Sequence, residues 1–114
     1  MFRIYKNKYN NKKVEYDGHK FDSQKECTRY KQLRLLERTG LIKDLELQKE
    51  YILQDKYKIN NKTIRKISYI ADFSYISVKD NKLHVIDVKG FKTDVYKLKK
   101  KLFEYKYGIE IEEE

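Results

Sequence analysis

Two aspartates in consecutive extended segments carry the chemistry that this sequence suggests. Asp72 lies in YIADFSY and Asp87 in VIDVKG, and each takes the place of an apolar residue on one face of its strand. Strand alternation puts Lys89 on the same face as Asp87. Buried charge is costly unless it is paired or bound to a metal. A simple ion pair between Asp87 and Lys89 at a strand end is the alternative interpretation.

The hairpin predicted between these segments brings the two acids together. If the strands pair around a turn at 79–82, the numbers of facing residues sum to about 161, so Asp72 lies opposite roughly position 89. Two carboxylates held this close repel each other, and a divalent cation relieves the repulsion. Because the ligands are hard oxygens with no His/Cys cluster, Mg²⁺ or Mn²⁺ is the expected cofactor.

Glu26 is a candidate third carboxylate. Helical spacing puts it on the inward face of the first predicted helix, together with Tyr30 and Leu33. Ser23 and Glu26 also have the spacing of a capping box, in which Glu26 reaches back to the Ser23 amide. Spacing alone leaves both roles open.

Turn and capping signals define the elements that position these residues in the first half of the chain. Asp17-Gly18 predicts a short hairpin that ends at Phe21. Asp22 or Ser23 caps a helix predicted over 24–39 and closed by Gly40. The next extended segments are 45–53 and 63–68, with a turn at Asn60-Asn61 between them.

The second half contains the hairpin of ISYIADFSYISV and KLHVIDVKG, then a helix capped by Thr93 or Asp94 and ended by Gly108, then a strand over 109–111. The core stripe predicted for this helix is Val95, Leu98, Leu102 and Tyr105. A second, aromatic stripe of Tyr96, Phe103 and Tyr107 is interpreted as core or as a dimer contact. The fold class is therefore α/β (α+β), a mixed sheet flanked by helices with an N-terminal hairpin.

Charge and length favour one small nucleic-acid-binding domain. The chain has 114 residues, 27 Lys+Arg against 18 Asp+Glu, and a net charge of +9, which predicts a single domain over 1–114 and a phosphate-rich partner. The alternative is the lysine bias of an A+T-rich genome. The acidic end, with Glu110, Glu112, Glu113 and Glu114, predicts a frayed terminus, with an intramolecular DNA mimic as the alternative.

Other classes are disfavoured by composition. Cys27 is the only cysteine, so an internal disulfide or a multi-cysteine zinc site is excluded, and a reducing compartment is expected. No apolar run approaches a membrane span, and residues 1–13 lack the apolar stretch of a secretory signal. We expect a cytoplasmic protein with no membrane partner.

The order of these residues resembles the PD-(D/E)XK nuclease superfamily. An acid in an early helix (Glu26) is followed by Asp72 in a strand and by Asp87-Val88-Lys89 in the next strand. The superfamily has the core order α-β-β-β-α-β. The segments YDGHKFDSQKE, YIADFSY and IDVKGFKTDVYKLKKKLFEYKYGIEI are similar to small phage and prophage proteins assigned to it. Ala71 stands where the motif has its nominal proline.

The resemblance implies a restriction-endonuclease-like core and a role for each motif residue. Asp72, Asp87 and the Val88 carbonyl would hold one or two Mg²⁺, and Lys89 would orient or deprotonate the attacking water. Glu26 would complete the metal site, as the helix acid does in junction-resolving enzymes. Gln48 is predicted to be an ordinary edge-strand glutamine, and hydrogen bonding near the site is its alternative role.

The function expected from this resemblance is a Mg²⁺-dependent DNA endonuclease of a phage or prophage, acting in the bacterial cytoplasm. Branched DNA such as Holliday junctions and a homodimer follow by analogy. The second helix would face DNA, with nucleic-acid contacts from Lys92, Thr93, Lys97 and Lys100. The rivals are a restriction-like or transposase-subunit nuclease, a non-catalytic basic DNA- or RNA-binding module with a structural Asp/Lys network, and an inhibitor of a host factor.

Overall fold

Nine strands and two helices make up the part of the chain that the structure describes, which is residues 2–6, 12–88 and 90–114 of a computed structural model. In chain order these are β1 (Phe2–Lys6), β2 (Lys12–Tyr16), β3 (His19–Phe21), α1 (Gln24–Arg38), β4 (Ile42–Gln54), β5 (Tyr57–Ile59), β6 (Lys62–Ile64), β7 (Ile67–Ser77), β8 (Lys82–Asp87), α2 (Asp94–Tyr107) and β9 (Ile111–Glu113).

A four-stranded mixed sheet forms the centre of the fold. Its strand order is β4-β7-β8-β9, in which β7 pairs antiparallel with β4 and β8, whereas β9 runs parallel to β8. Together with α1 and α2, these strands give the predicted order α-β-β-β-α-β, so the predicted fold class is confirmed. The β5–β6 hairpin is inserted between β4 and β7, and β1, β2 and β3 form a separate sheet.

Both helices begin and end at the predicted signals. The Ser23 hydroxyl accepts the Glu26 amide at 3.1 Å at the start of α1, and the Thr93 hydroxyl accepts the Tyr96 amide at 3.0 Å at the start of α2. Gly108 closes α2 with a φ of 67°, a left-handed conformation that glycine adopts at little cost. Neither helix in the described ranges is long and apolar enough to cross a membrane.

The two helices cover opposite faces of the sheet, because the consecutive residues Val85 and Ile86 of β8 belong to different core clusters. The α1 core contains Val14, Phe21, Cys27, Tyr30, Leu33, Ile42, Phe73 and Ile86. The α2 core contains Tyr51, Tyr69, Ala71, Val85, Tyr96, Phe103 and Ile111.

The predicted core stripe of α2 is wrong. Its four apolar residues are exposed, with fractional exposures of 62% for Val95, 59% for Leu98, 42% for Leu102 and 92% for Tyr105. The aromatic stripe packs on the sheet instead, where the Phe103 ring lies 5.1 Å from that of Tyr51. Because an aromatic side chain buries more area than an aliphatic one, the helix is turned to bury its aromatics.

The acidic C-terminus forms strand β9, so the predicted frayed end is also wrong. Glu113 accepts a hydrogen bond from the Tyr96 hydroxyl at 2.8 Å and lies 3.1 Å from the Lys92 ammonium. Glu114 pairs with Arg29 at 2.6 Å. Main-chain pairing with β8 and these contacts hold the end in place. The charge pattern of the sequence alone does not identify these partners.

Candidate active site

The β7–β8 hairpin brings Asp72 and Asp87 to the same level of the sheet. Its register runs from Ser77 opposite Lys82 to Phe73 opposite Ile86, so facing numbers sum to 159 and the predicted register is wrong by two residues. The turn occupies 78–81 because Asn81 adopts a φ of 56°, which asparagine tolerates well. Asp72 and Asp87 are the next residues beyond the last pair of this register, Phe73 and Ile86.

Side-chain alternation breaks in β4 and β7 at this level. Leu47 and Phe73 pack in the α1 core, whereas Tyr51 and Ala71 pack in the α2 core, although strict alternation would put each strand's two residues on one face. In β4 the break falls near Gln48, which has a φ of 53°. In β7 it falls at the aspartate between Ala71 and Phe73. Such local irregularities re-aim side chains in a sheet.

Gln48 connects the helix acid to the first strand acid. Its side-chain amide nitrogen lies 3.4 Å from both Glu26 Oε1 and Asp72 Oδ1 and donates to each. The other Asp72 oxygen accepts the Val88 backbone N–H at 2.7 Å. Gln48 therefore belongs to the site, and its interpretation as an ordinary edge-strand glutamine is wrong. Gln48 has a left-handed backbone conformation, which the sequence does not predict, so its place in the site could not be inferred from the sequence.

Glu26 is a member of the site, and the backbone group that bonds to its carboxylate is that of Asp22 rather than the predicted Ser23 amide. Glu26 is 4% exposed, and burial first and the charge of Asp72 second raise the pKa of Glu26 to about 7, with smaller contributions from the charges of Asp22 and Asp87. A hydrogen bond from the Asp22 backbone partly offsets this rise. Both strand carboxylates therefore act on the charge of Glu26.

Asp87 is the most deeply buried acid and is bonded from the α2 side. It is 1% exposed, and the Tyr69 hydroxyl donates to its Oδ2 at 2.5 Å. Burial raises the pKa of Tyr69, and the carboxylate of Asp87 raises it further, so the phenol is protonated and donates at neutral pH. Tyr69 could not be identified from the sequence, because Tyr69 and Asp87 meet only through the pairing of β7 with β8.

Tyr69→Phe should lower the free energy of unfolding by about 1.5–3 kcal/mol, the usual value of a hydrogen bond to a charged group. The variant keeps the ring in the α2 core and removes only the donor to Asp87. Urea denaturation of the metal-free protein at pH 7 measures the change.

Tyr51→Phe is the matched control. The Tyr51 hydroxyl is buried and has no hydrogen-bond partner among the described residues, so its removal should leave stability unchanged or raise it slightly. Equal losses of stability in the two variants would contradict the role given to the Tyr69 hydroxyl.

The structure does not test the roles predicted for two motif residues, Lys89 and Val88. Lys89 lies outside the described residues, so its predicted role beside Asp87 stays a prediction. Val88 contacts the site through its N–H, which Asp72 accepts. The proposed use of its carbonyl as a metal ligand likewise stays a prediction.

The predicted nucleic-acid contacts lie around the start of α2. Lys92 and Lys100 place their ammonium groups 3.1 Å and 3.6 Å from Glu113, and Glu113 is the register partner of Asp87. Thr93 caps the helix and Lys97 is exposed on it. Two of these four residues therefore sit one strand away from the buried aspartate.

The donor set fits a hard divalent cation. Within 2–6, 12–88 and 90–114, no three His, Cys, Asp or Glu side chains are already arranged to hold one ion. The pKa of Glu26 is nevertheless raised in part by the negative charges of Asp72 and Asp87, a repulsion that a cation would remove. Carboxylate and amide oxygens are the ligands that Mg²⁺ and Mn²⁺ prefer.

Comparison with known proteins gives the chain a family. Residues 6–112 match the sequence profile of a family described as "Protein of unknown function (DUF1064)". The chain belongs to the DUF1064 family. No significant match was found among curated proteins or among solved structures. All four residues of the DUF1064 site, Glu26, Gln48, Asp72 and Asp87, lie within the matched range.

Two residues of the candidate site, Glu26 and Gln48, line a cleft between the N-terminal hairpin, α1 and β4. This cleft has a volume of about 590 Å³, and its other charged or ionisable lining residues are of both signs: Asp17, His19, Lys20, Tyr30, Arg34 and Glu37. The cleft therefore gives a ligand access to Glu26, whereas Asp72 and Asp87 lie outside its lining.

Proposed function

We propose that this DUF1064 protein is a Mg²⁺- or Mn²⁺-dependent endonuclease that hydrolyses phosphodiester bonds in DNA. One observation carries the proposal: Glu26 lines a cleft and feels the charges of Asp72 and Asp87, which come from two other elements. A carboxyl group with a perturbed pKa in a cleft, as at Glu26, is typical of functional sites. The sequence resemblance adds a phage or prophage origin and action in the bacterial cytoplasm.

The proposed roles follow the chemistry of the residues. Asp72, Asp87 and the Val88 carbonyl hold the cation, and Glu26 completes its ligands or positions its waters. The cation supplies a more acidic bound water and neutralises charge at the phosphate. Lys89 orients the attacking water and stabilises the charge that develops on the phosphate oxygens.

DNA attraction rests on the charge of the chain and on lysines beside the site. The net charge of +9 draws the protein to a polyanion. Lys92 and Lys100 lie within 3.6 Å of Glu113, close to the strand that ends in Asp87. Phosphate groups can compete with Glu113 for these cations, and Thr93 and Lys97 extend the contact along α2.

A cleavage assay tests the proposal. Wild-type protein is incubated with linear duplex and with four-way junction DNA in Mg²⁺ or EDTA, beside Asp87→Asn and Lys89→Ala. We expect Mg²⁺-dependent cleavage by the wild type, loss in both variants, and faster cleavage of the junction. Equal cleavage by all three proteins, or DNA binding without cleavage by any, would refute the nuclease.

DNA binding without cleavage by any of the three proteins would favour a non-catalytic DNA-binding module. One observation supports this second candidate function, since the acids already accept hydrogen bonds from Tyr69, Val88 and Gln48. In such a module the acids would form a structural network.

The exposed stripe of α2 is the proposed homodimer interface. Its apolar residues Val95, Leu98, Leu102 and Tyr105 follow the 3-4-3 spacing of a helix-pairing seam. Burial of an aromatic side chain as exposed as Tyr105 removes roughly 150–250 Å² of surface from solvent. This is part of the roughly 800 Å² per partner that a standard interface buries. In a two-fold symmetric dimer, the stripe of one copy would pack against the same stripe of the second copy.

Leu98→Glu should convert the dimer to a monomer, because it places a charge at the centre of the stripe on each copy. Sedimentation velocity at micromolar concentration measures the change. Lys97→Glu, on the neighbouring exposed position, is the control and should leave the dimer intact. A monomeric wild type would contradict the interface.

A further inference from the structure

The β5–β6 hairpin and its flanks, residues 55–66, form a projecting arm that the proposed active site does not use. Its strands pair with each other in a sheet of their own, and within this segment every residue except Ile64 is exposed. Asn60 and Asn61 make the tight turn at its tip with φ values of 48° and 61°. A two-stranded hairpin with no buried face is marginally stable by itself, so a partner would stabilise it.

The arm is strongly basic. It carries five cations against one acid, Lys56, Lys58, Lys62, Arg65 and Lys66 against Asp55. Only Lys66 has an ion pair among the described residues, at 2.9 Å from Glu50 in β4, and this contact anchors the base of the arm. The remaining four cations face solvent.

The pairing of the arm places three of its cations on one face. Lys58 pairs with Thr63, and alternation continues this face through Lys56 and Arg65, which line a cleft of about 470 Å³. The other face presents Tyr57, which is 47% exposed, together with the pair Ile59 and Lys62. The first face is suited to phosphates, and the second combines apolar surface with one further cation.

We infer that this arm is a second nucleic-acid site, a basic β-ribbon that docks in a groove of duplex DNA. A two-stranded ribbon fits the major groove of B-DNA, and the cations match a phosphate backbone. The choice of DNA as ligand rests on the proposed function, but binding by the arm does not require cleavage.

The position of the arm sets how much DNA it spans. Six residue steps along β4 lead from Gln48 at the site to Gln54 before the arm, which is about 20 Å of strand and about six base pairs of duplex. The arm would therefore contact DNA roughly six base pairs from the cleaved phosphate.

Fluorescence anisotropy with a labelled 24-bp duplex tests the arm. The full chain carries Asp87→Asn in EDTA, so that binding is measured without cleavage. One triple variant changes Lys56, Lys58 and Arg65 to Gln. The matched triple changes Lys43, Lys79 and Lys82, exposed lysines at the opposite end of the sheet, and removes the same charge.

We expect the arm triple to weaken binding about 10- to 100-fold and to lower the slope of log K against log[salt] by about 2–3. The matched triple should change binding less than about threefold. Equal losses in the two triples, no DNA binding by the parent, or arm-dependent binding to anionic vesicles rather than DNA would each overturn the inference.

The outcome separates from that of the nuclease proposal. Arm-dependent binding together with no cleavage by the wild-type chain would refute the nuclease and support the arm. Cleavage by the wild type with equal losses in the two triples would overturn the arm alone.

Discussion

Asp72→Asn should reduce Mg²⁺-dependent DNA cleavage at least about 10³-fold, the size of effect expected when a principal charge-stabilising group is removed. Asparagine keeps an oxygen that accepts the Val88 N–H, so the contact at 2.7 Å persists. It loses the negative charge that would hold the cation. DNA binding in EDTA should remain within about twofold of wild type.

Asp44→Asn is the matched control for this change. Asp44 is an exposed residue of β4 with a φ of 57°, a conformation that asparagine adopts as easily as aspartate. It makes the same chemical change away from the carboxylate cluster, and its cleavage rate should equal that of wild type. Similar losses in the two variants would contradict a specific role for Asp72.

Glu26→Gln should raise the free energy of unfolding of the metal-free protein by about 2–3 kcal/mol at pH 8. Folding raises the pKa of Glu26 from 4.5 to about 7, through burial first and through Asp72 second. Ionised Glu26 therefore destabilises the folded state above pH 7. Glutamine keeps an oxygen for the Gln48 amide but carries no charge to bury.

The pH dependence of this effect has a definite sign. The folded state binds the Glu26 proton more tightly than the unfolded state, so the contribution of Glu26 to wild-type stability rises as pH falls from about 7 to about 4.5. The advantage of the variant should shrink over this window and vanish below it. Chemical denaturation in EDTA at pH 8, 6 and 4.5 measures it. A constant difference, or one that grows toward low pH, would contradict the burial of an ionised Glu26.

Helix 24–39 and the helix after Thr93 were predictable because their signals are local. A side chain such as Ser23 caps the helix that follows it, and Gly108 adopts a conformation that most residues avoid. The order of elements and the three carboxylates on them follow from such signals. The register between β7 and β8 required the turn geometry at Asn81, which the sequence leaves open by one or two residues.

The rest of the site depends on non-local geometry. Gln48 reaches Glu26 and Asp72 because alternation breaks in two strands at one level, and no periodic rule predicts such a break. Tyr69 reaches Asp87 only after β7 and β8 pair. The rotation of α2 depends on which stripe fits the sheet, and two apolar stripes, one starting at Val95 and one at Tyr96, compete in the sequence.

Anomalous diffraction from crystals soaked in Mn²⁺ tests the central claim most directly. We predict a peak about 2.0–2.2 Å from carboxylate oxygens of both Asp72 and Asp87, present in the wild-type protein and lost in Asp72→Asn. Full retention of the Tyr69 and Val88 hydrogen bonds, with no peak at the two carboxylates, would contradict a metal centre and identify the acids as a structural network.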